Sequence, residues 1–524
     1  MAKASDPAIR PNVLLIAIDD LNDWVEPLGG YQASITPNIQ RLASMGMCFE
    51  NAHSNMASCI PSRNSMLTGR HPANIGFINN AEIVRLSRKI EGGLGQYLPG
   101  TFKEGGYATY GTGKIFHEDY CDNATVPKER LWTDWGMLHT FGPVFPFQKA
   151  DGSIIKAGFG RPMTAAIWYH EVTPEDFDRK DAFGLNVFPK GKLSDEANTD
   201  WAVSRIQAHH GNEPFMLACG LAAPHVPLVA PKEFFELYDL SEISIPEIPE
   251  DEMSDVPVMG KFFAYGHAPT FDDMRRFIEI DWSVGEVIDY DYWKKIIRAY
   301  LACITYADHA VGRLLDTLEK TPDPRVPEKK LIDTTIIVLY SDHGWHLGEK
   351  MHWHKQALWE ESTRVPLIWR VPGVTKPGTM SEVPVCLLDI YPTLMALCDL
   401  PEVLDLDGVD LSPLLANPSM TLEREMIIST WYWNSHAVRS ERWRLIRYGD
   451  GSMELYDHAV DPGEHDNLLM DPDDAENYAP IVETHLEALR RYPSTELDQK
   501  AISAFEWQCR RAWGEAGAPP LWLQ

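Results

Sequence analysis

Asn12-Val13-Leu14-Leu15-Ile16-Ala17-Ile18 is almost continuously apolar and then breaks at once into Asp19-Asp20. A strand with one wet face alternates apolar and polar residues. A run without alternation belongs to a strand covered on both faces, as in a sheet sandwiched by helices. Downstream, Thr36 is placed to cap a helix with Pro37 in its first turn, carried by Ile39, Leu42 and Ala43 and stopped near Gly46. The opening therefore reads strand, loop, helix. Similar strands are expected at 108–110, 215–219, 335–340 and 365–369. From Trp293, the residues Ile296, Ile297, Tyr300, Leu301, Ile304, Ala307, Val311, Leu314 and Leu315 keep helical spacing and predict a long helix lying on the sheet.

Working outward, 231–291 is acidic and Pro-bearing, and two readings fit it: a pocket-lining insertion or a solvated excursion. After about Leu415 the pattern changes. Short strands are expected within 437–448 and 453–456 around the turn Gly449-Asp450-Gly451, then a helix carrying Leu486, Leu489 and Tyr492. The predicted class is α/β: a large mixed central β-sheet sandwiched by helices over 1–415, with a smaller C-terminal α+β subdomain over 416–524. The apolar end, Pro519-Pro520-Leu521-Trp522-Leu523, reads either as a frayed tail or as a segment docking on a second subunit of a homo-oligomer.

Composition narrows the partners. With 524 residues, 44% hydrophobic and 23% charged, the chain has the makings of a wide core and not of a disordered polymer. Its formal net charge of −29 repels phosphate backbones and anionic membranes, which argues against nucleic acid and membrane partners. A small anionic substrate stays possible where cationic side chains and a metal invert the field within one pocket. The N-terminus is polar, its first apolar run is too short for a signal sequence, and the eight cysteines form no CxxC pair, so a reducing cytoplasm is expected. Cys219, Cys303, Cys386 and Cys398 sit in apolar segments as small core residues, whereas Cys59 has Ser, Pro and Arg around it.

Asp19-Asp20 follows one expected strand and Ser341-Asp342-His343-Gly344 follows another, and ligands gather at such strand ends in α/β sheets. Grouped buried carboxylates need a cation or several hydrogen bonds. Their oxygens favour Ca²⁺ or Mg²⁺, and His343 leaves Mn²⁺ open. Taken alone, each acidic pair is a weak signal, since an acidic residue after a strand is more often a turn former or helix cap than a ligand. His346, Glu349, His352 and His354 suggest a separate zinc site, but no cysteine joins them and the spacing is not HExxH, so the zinc reading is set aside. Trp345 and Trp353 suit either a pocket rim or the core, and Arg364 and Trp369 are read as structural.

The segment Cys59-Ile60-Pro61-Ser62-Arg63-Asn64-Ser65-Met66-Leu67-Thr68-Gly69-Arg70 changes the weight of these fragments. It resembles the signature of the type I, formylglycine-dependent sulfatases of the alkaline phosphatase-like superfamily, with every fixed position matched. The resemblance extends over most of the chain, through Asp19-Asp20, Thr36-Pro37-Asn38 and Glu454-Leu455-Tyr456-Asp457, and is nearest to the iduronate-type carbohydrate sulfatases, where the second metal motif is also Asp-His. It implies that a maturation enzyme converts Cys59 to formylglycine, whose hydrate attacks the sulfur of a small sulfate ester and releases inorganic sulfate. It implies metal ligands at Asp19, Asp20, Cys59, Asp342 and His343, with Ca²⁺ expected, and catalytic roles for Cys59, Arg63, Lys114, His117, His225 and Lys355. The three cationic side chains suit stabilisation of charge in the transition state. His117 suits orientation of the second hydroxyl, and His225, between Pro224 and Pro227, suits proton donation to the leaving oxygen. Pro61 near a helix start would set Cys59 at the positive end of that helix.

The resemblance also marks a difference. Iduronate-type relatives commonly carry lysine where this chain has Ala223, ahead of Pro224-His225, which removes a partner for a uronate carboxylate. Alkyl, aryl and neutral-sugar sulfates stay open. So do hydrolysis of phosphonate monoesters or phosphodiesters within the same superfamily and, in another class, a silent metal-stabilised binding scaffold that keeps Cys59 as a thiol.

Overall fold

The computed structural model describes residues 9–75, 97–116, 128–136, 147–148, 154–155, 169–172, 192–226, 228–265, 290–432 and 434–491. His117, the segment 266–289, Tyr492 and the apolar end at 519–523 therefore lie outside the described residues. The strand Asn12–Ile18 is buried along its whole length and runs through the middle of an eight-stranded mixed sheet. On one side it pairs in parallel with Phe215–Leu221, which is followed by Ala108–Gly113 and Asp134–Trp135. On the other it pairs in parallel with Thr335–Ser341, after which Leu367–Arg370 and Met47–Phe49 run antiparallel to their inner neighbours and Thr379–Ser381 closes the edge.

The period-2 pleat divides the apolar residues between two cores. Leu14, Ile16, Ile18, Leu217, Cys219, Ile337 and Leu339 face the helices Pro37–Met45, Ser194–Ala208 and Tyr290–Lys320. Val13, Leu15, Ala17, Met216, Ala218, Ile336 and Val338 face the helices Cys59–Thr68, Leu98–Glu104 and Ile390–Cys398. Two buried faces are why no polar residue interrupts the opening run. The helix expected from Trp293 is present as the 31-residue Tyr290–Lys320, with Ile296, Ile297, Tyr300, Leu301 and Leu314 fully sequestered. None of the described helices is long and apolar enough to cross a membrane.

Three readings change. Thr36 precedes the helix Pro37–Met45 but does not cap it, because its Oγ1 accepts from Glu26 N (2.8 Å). The capping acceptor comes from a distant part of the chain: the Asp308 carboxylate takes the N–H groups of Asn38 (3.0 Å) and Ile39 (2.7 Å). The stretch 437–448 is not one strand; His436–Arg439 and Trp443–Arg447 are separated by a turn and join Ile427–Thr430 and Met453–Asp457 in a four-stranded antiparallel sheet. The described part of 231–291 is no solvated excursion, since Phe235, Tyr238 and Ile243 are buried in the first of the two cores and Phe263 in a separate cluster with Trp359, Trp431 and Tyr448. Trp345 and Trp353 are core residues. The six described cysteines are buried, and no disulfide joins any of them to another.

Candidate active site

The register of the sheet brings the chemistry together. Ile18 lies opposite Ser341 on one side and Leu221 on the other, so the segments leaving these strand ends, Asp19-Asp20, Asp342-His343 and Ala222 to His225, emerge side by side. Gly113 faces Gly220 on the next strand, and a Cβ on Gly113 would stand 1.9 Å from Gly220 O. Two glycines at this crossing let Lys114 enter the site immediately after its strand, with Gly113 at φ +71°, a conformation glycine adopts without penalty.

Cys59 opens the helix Cys59–Thr68, every residue of which is buried, and the helix ends where Gly69 turns left-handed at φ +67°. The Cys59 sulfur lies 2.9 Å from Lys355 Nζ, 3.3 Å from His343 Nε2 and 3.9 Å from Lys114 Nζ. Lys355 also donates to Asp20 Oδ1 (2.7 Å), and Lys114 donates to Asp19 Oδ2. Arg63, one helical turn after Cys59, points its guanidinium under the pocket. Its Nε donates to Asp342 Oδ2 (2.7 Å), its Nη2 to Asp19 Oδ1 (3.1 Å), and its Nη1 to the carbonyl of Lys114.

Two overlapping groups of ligand atoms each lie within 4.8 Å of one another: Asp19, Asp20, Cys59 and His225, and Asp19, Cys59, Asp342 and His343. The donors suit a divalent cation. Asp20 Oδ2 is buried with no hydrogen-bond partner, and His225 Nε2 stands 3.9 Å from it. An orphaned buried carboxylate oxygen is costly unless a cation takes it. His343 Nδ1 donates to Gly344 O (3.0 Å), which leaves the Nε2 lone pair of the neutral ring directed at the same space. Asp20 holds φ +59°, uncommon for a residue with a side chain, and is kept there by Tyr300 OH donating to its carbonyl (2.6 Å) and its own N–H reaching Asp342 Oδ1 (3.2 Å).

The electrostatics are those of a dry pocket with dense charge. Burial alone would raise the Asp19 carboxyl, but Lys114, His225 and Arg63 override it and hold the group well below the usual carboxylate range. Burial would lower the Lys355 ammonium; Asp20 and Cys59 reverse this and keep it firmly protonated. Burial would lower the His343 imidazole, but Asp342 and Cys59 push it up to about 9, so with no cation in the pocket the ring carries a proton that a divalent ion would have to displace before Nε2 could act as its ligand. Three aspartates face three cationic side chains, Arg63, Lys114 and Lys355. A divalent ion added to that balance leaves the pocket positive, the condition for holding an anionic ester inside a chain of net charge −29.

The structure thus draws Cys59, Arg63, Lys114, His225, Lys355, Asp19, Asp20, Asp342 and His343 into one cluster. His346, Glu349, His352 and His354 do not gather with it: His346 Nδ1 pairs with Ser362 Oγ (2.9 Å) and His352 Nε2 with Lys355 O (2.9 Å). Sequence reasoning passed over Asp195. Its buried carboxylate accepts from Ala222 N (2.9 Å) and Ala223 N (2.8 Å) and so fixes the loop that bears His225. An acid at the start of the helix Ser194–Ala208 looks like any helix-start acid, and nothing in the local sequence marks its reach to another strand.

Comparison with known proteins agrees with this geometry. Residues 11–400 match the sulfatase family, and residues 348–492 match the family described as N-sulphoglucosamine sulphohydrolase, C-terminal. A sulfatase of Formosa agariphila is 32% identical over 95% of this chain and 89% of its own length. Human iduronate 2-sulfatase is 32% identical over 74% of this chain and 69% of its own. Among solved structures, one determined in complex with its substrate D-glucosamine-2-N,6-O-disulfate shares the fold, with a TM-score of 0.66 and 22% identity over 94% of this chain and 100% of that one. With its Cys-x-Pro-Ser-Arg motif at the centre of a metal-ligand cluster, the chain belongs to the type I, formylglycine-dependent sulfatase family.

Proposed function

We propose that this sulfatase hydrolyses the sulfate ester of a small sulfated sugar or a similarly small alcohol, with Ca²⁺ as its cation. The observation that carries the reading is the placement of Cys59 Sγ within 4.8 Å of ligand atoms from Asp19, Asp342 and His343. Converted to formylglycine by a maturation enzyme, residue 59 supplies a hydrated aldehyde as nucleophile, and a bound divalent ion supplies charge neutralisation for the sulfuryl oxygens.

The side chains divide the remaining work. Asp19, Asp20, Asp342 and His343 hold the cation through their pocket-facing atoms. Lys355 and Lys114, at 2.9 and 3.9 Å from the Cys59 sulfur, orient the nucleophile and hold the ester anion while negative charge moves to the leaving oxygen. Arg63 acts from beneath, because its donors are committed to Asp342, Asp19 and the Lys114 carbonyl. His225 is poised on the Ala222–His225 loop to give a proton to the leaving oxygen, and His117 is assigned to the nucleophile's second hydroxyl. Ala223 makes a uronate a poor fit and favours a neutral sugar or alkyl sulfate. The sparse cysteines, with no CxxC pair, suit a cytoplasmic enzyme acting on an imported substrate, and the domain division is proposed at 415/416.

Two measurements test this. Peptide mass spectrometry around Cys59, after expression with a competent maturation enzyme, should show conversion of the thiol to the aldehyde; unconverted cysteine throughout would support a silent scaffold. Initial rates on matched sulfate and phosphonate monoesters should favour sulfate, and faster phosphonate turnover would overturn the substrate class.

A further inference from the structure

Lys355 stands on a loop that its own backbone does not favour. Between Gly344 and Trp359, Lys350, Met351, His354 and Gln356 all take positive φ (53°, 50°, 84° and 79°), as does Gly348. Residues with side chains occupy that region only when their surroundings impose it. One constraint is near the nucleophile, where Gln356 N donates to Ala57 O (3.0 Å), two residues before Cys59. The others come from the C-terminal sheet and the turn after its last strand, Met453–Asp457. Arg444, fully buried on the strand Trp443–Arg447, donates from Nη1 to Leu358 O (2.9 Å) and from Nη2 to the Glu360 carboxylate, while its Nε lies 2.5 Å from Glu464 Oε1. Glu464 Oε2 in turn accepts from Glu360 N (2.8 Å). Beside them Trp359 Nε1 donates to Glu454 Oε2 (2.8 Å), a carboxylate that also takes the hydroxyls of Tyr448 and Tyr456.

Glu360, His458 and Glu464 are close enough to share a cation. Arg439 and Arg444 already fill that role: Arg439 Nε is 3.3 Å from Glu360 Oε2, and Arg444 touches both glutamates. The cluster is therefore a clasp made of protein charges. It grips the chain at Leu358 and Glu360, three and five residues beyond Lys355.

We propose that the C-terminal sheet and the turn after its last strand form a positioning element for the reaction, in which Arg444 and Glu464 hold the 344–360 loop so that Lys355 Nζ meets residue 59. This rests on the role given to Lys355 above. Arg444 and Glu464 touch no substrate, and their effect on turnover passes through that one ammonium.

A double-mutant cycle on the matured, metal-loaded full chain tests the coupling, with 4-nitrophenyl sulfate as the probe. Glu464→Gln keeps the shape and removes the charge; Arg444→Lys keeps the charge and removes the three-way fork. Each should lower kcat by about tenfold with KM changed less than about twofold, the pattern of a lost transition-state interaction. In a Lys355→Ala background, itself down about 100-fold or more, either change should lower kcat by less than about twofold further. An equal loss in both backgrounds would reduce the clasp to ordinary structural support and overturn the inference, as would undiminished kcat in both single variants. Full activity in Lys355→Ala alone would instead overturn the role of the lysine, and the clasp with it.

Discussion

Arg63→Lys separates charge from geometry at the base of the pocket. The guanidinium joins Asp342 Oδ2 at 2.7 Å, Asp19 Oδ1 at 3.1 Å and the backbone carbonyl of Lys114, with its side chain fully buried. A lysine ammonium keeps the positive charge but is a single point on a flexible stem, and it cannot span two carboxylates and a carbonyl together. One carboxylate oxygen and one carbonyl are left without donors in a dry site, each at a cost of about 1–3 kcal/mol, so the variant should be less stable by about 2–6 kcal/mol. Both affected carboxylates are assigned to the cation, so release of either should weaken cation affinity or turnover by about 10–100-fold, as for other residues that orient metal ligands. Equilibrium urea unfolding of the cation-free protein reads the first quantity, and a Ca²⁺ titration of kcat reads the second. A variant within about 0.5 kcal/mol of wild type, with an unchanged Ca²⁺ requirement, would refute the view that the fork and not the charge alone organises Asp19 and Asp342.

Three further outcomes follow from the same coordinates. His71 donates to Ile428 O (3.1 Å) and is lowered to about 4 by burial, and His436 is lowered to about 3 by burial and by His71. Both rings are neutral in the folded chain and take up protons on unfolding. Their contribution is complete above the unfolded value of 6.5 and is lost as pH falls through 6.5 towards 4; His71 alone accounts for up to about 3 kcal/mol. Urea midpoints should fall over that window, and His71→Gln should flatten the fall. Asp195→Asn replaces one carboxylate oxygen by an NH2 donor, which would face the Ala222 N–H where Oδ1 now accepts (2.9 Å), and leaves a weaker neutral acceptor for the Ala222 and Ala223 N–H groups at Oδ2. It should cost about 1–3 kcal/mol and lower kcat more than KM as the loop bearing His225 loosens; an unchanged kcat in the folded variant would reject the link to His225. Gly113→Ala places a methyl 1.9 Å from Gly220 O at φ +71°, and should yield insoluble or inactive protein; a soluble variant with wild-type Tm would reject the close strand crossing.

What the sequence disclosed follows the range of the forces involved. The unbroken apolar run at 12–18, the heptad-like spacing from Trp293 and the Cys59–Arg70 motif are local patterns, and each became the expected strand, helix or helix start. The convergence of Asp19-Asp20 with Asp342-His343 was legible because polar residues that end buried strands have one edge to go to. Three features lay beyond that reach. Asp308 replaces Thr36 as the cap of Pro37–Met45 from 270 residues away, Asp195 supports a loop on another strand, and Arg444 steadies a loop in the other sheet. In each, the partner is chosen by tertiary packing, and its own neighbours in sequence carry no trace of the choice.

The same distinction explains why the nucleophile sits where it does. An anionic nucleophile among three buried aspartates would be an unfavourable neighbour, since each negative group raises the cost of the next. Here the aspartates are matched in advance by Arg63, Lys114 and Lys355, which arrive from a helix turn, a strand end and a clasped loop. Balance is reached before any ligand enters, so a divalent ion and a singly charged sulfate ester entering together offset each other's charge in part. Either partner alone leaves the pocket further from balance: the ion adds two positive charges, and the ester adds a negative charge to a low-dielectric site. Affinity for the ester should therefore depend on the ion, and affinity for the ion should rise by the same factor when the ester is present.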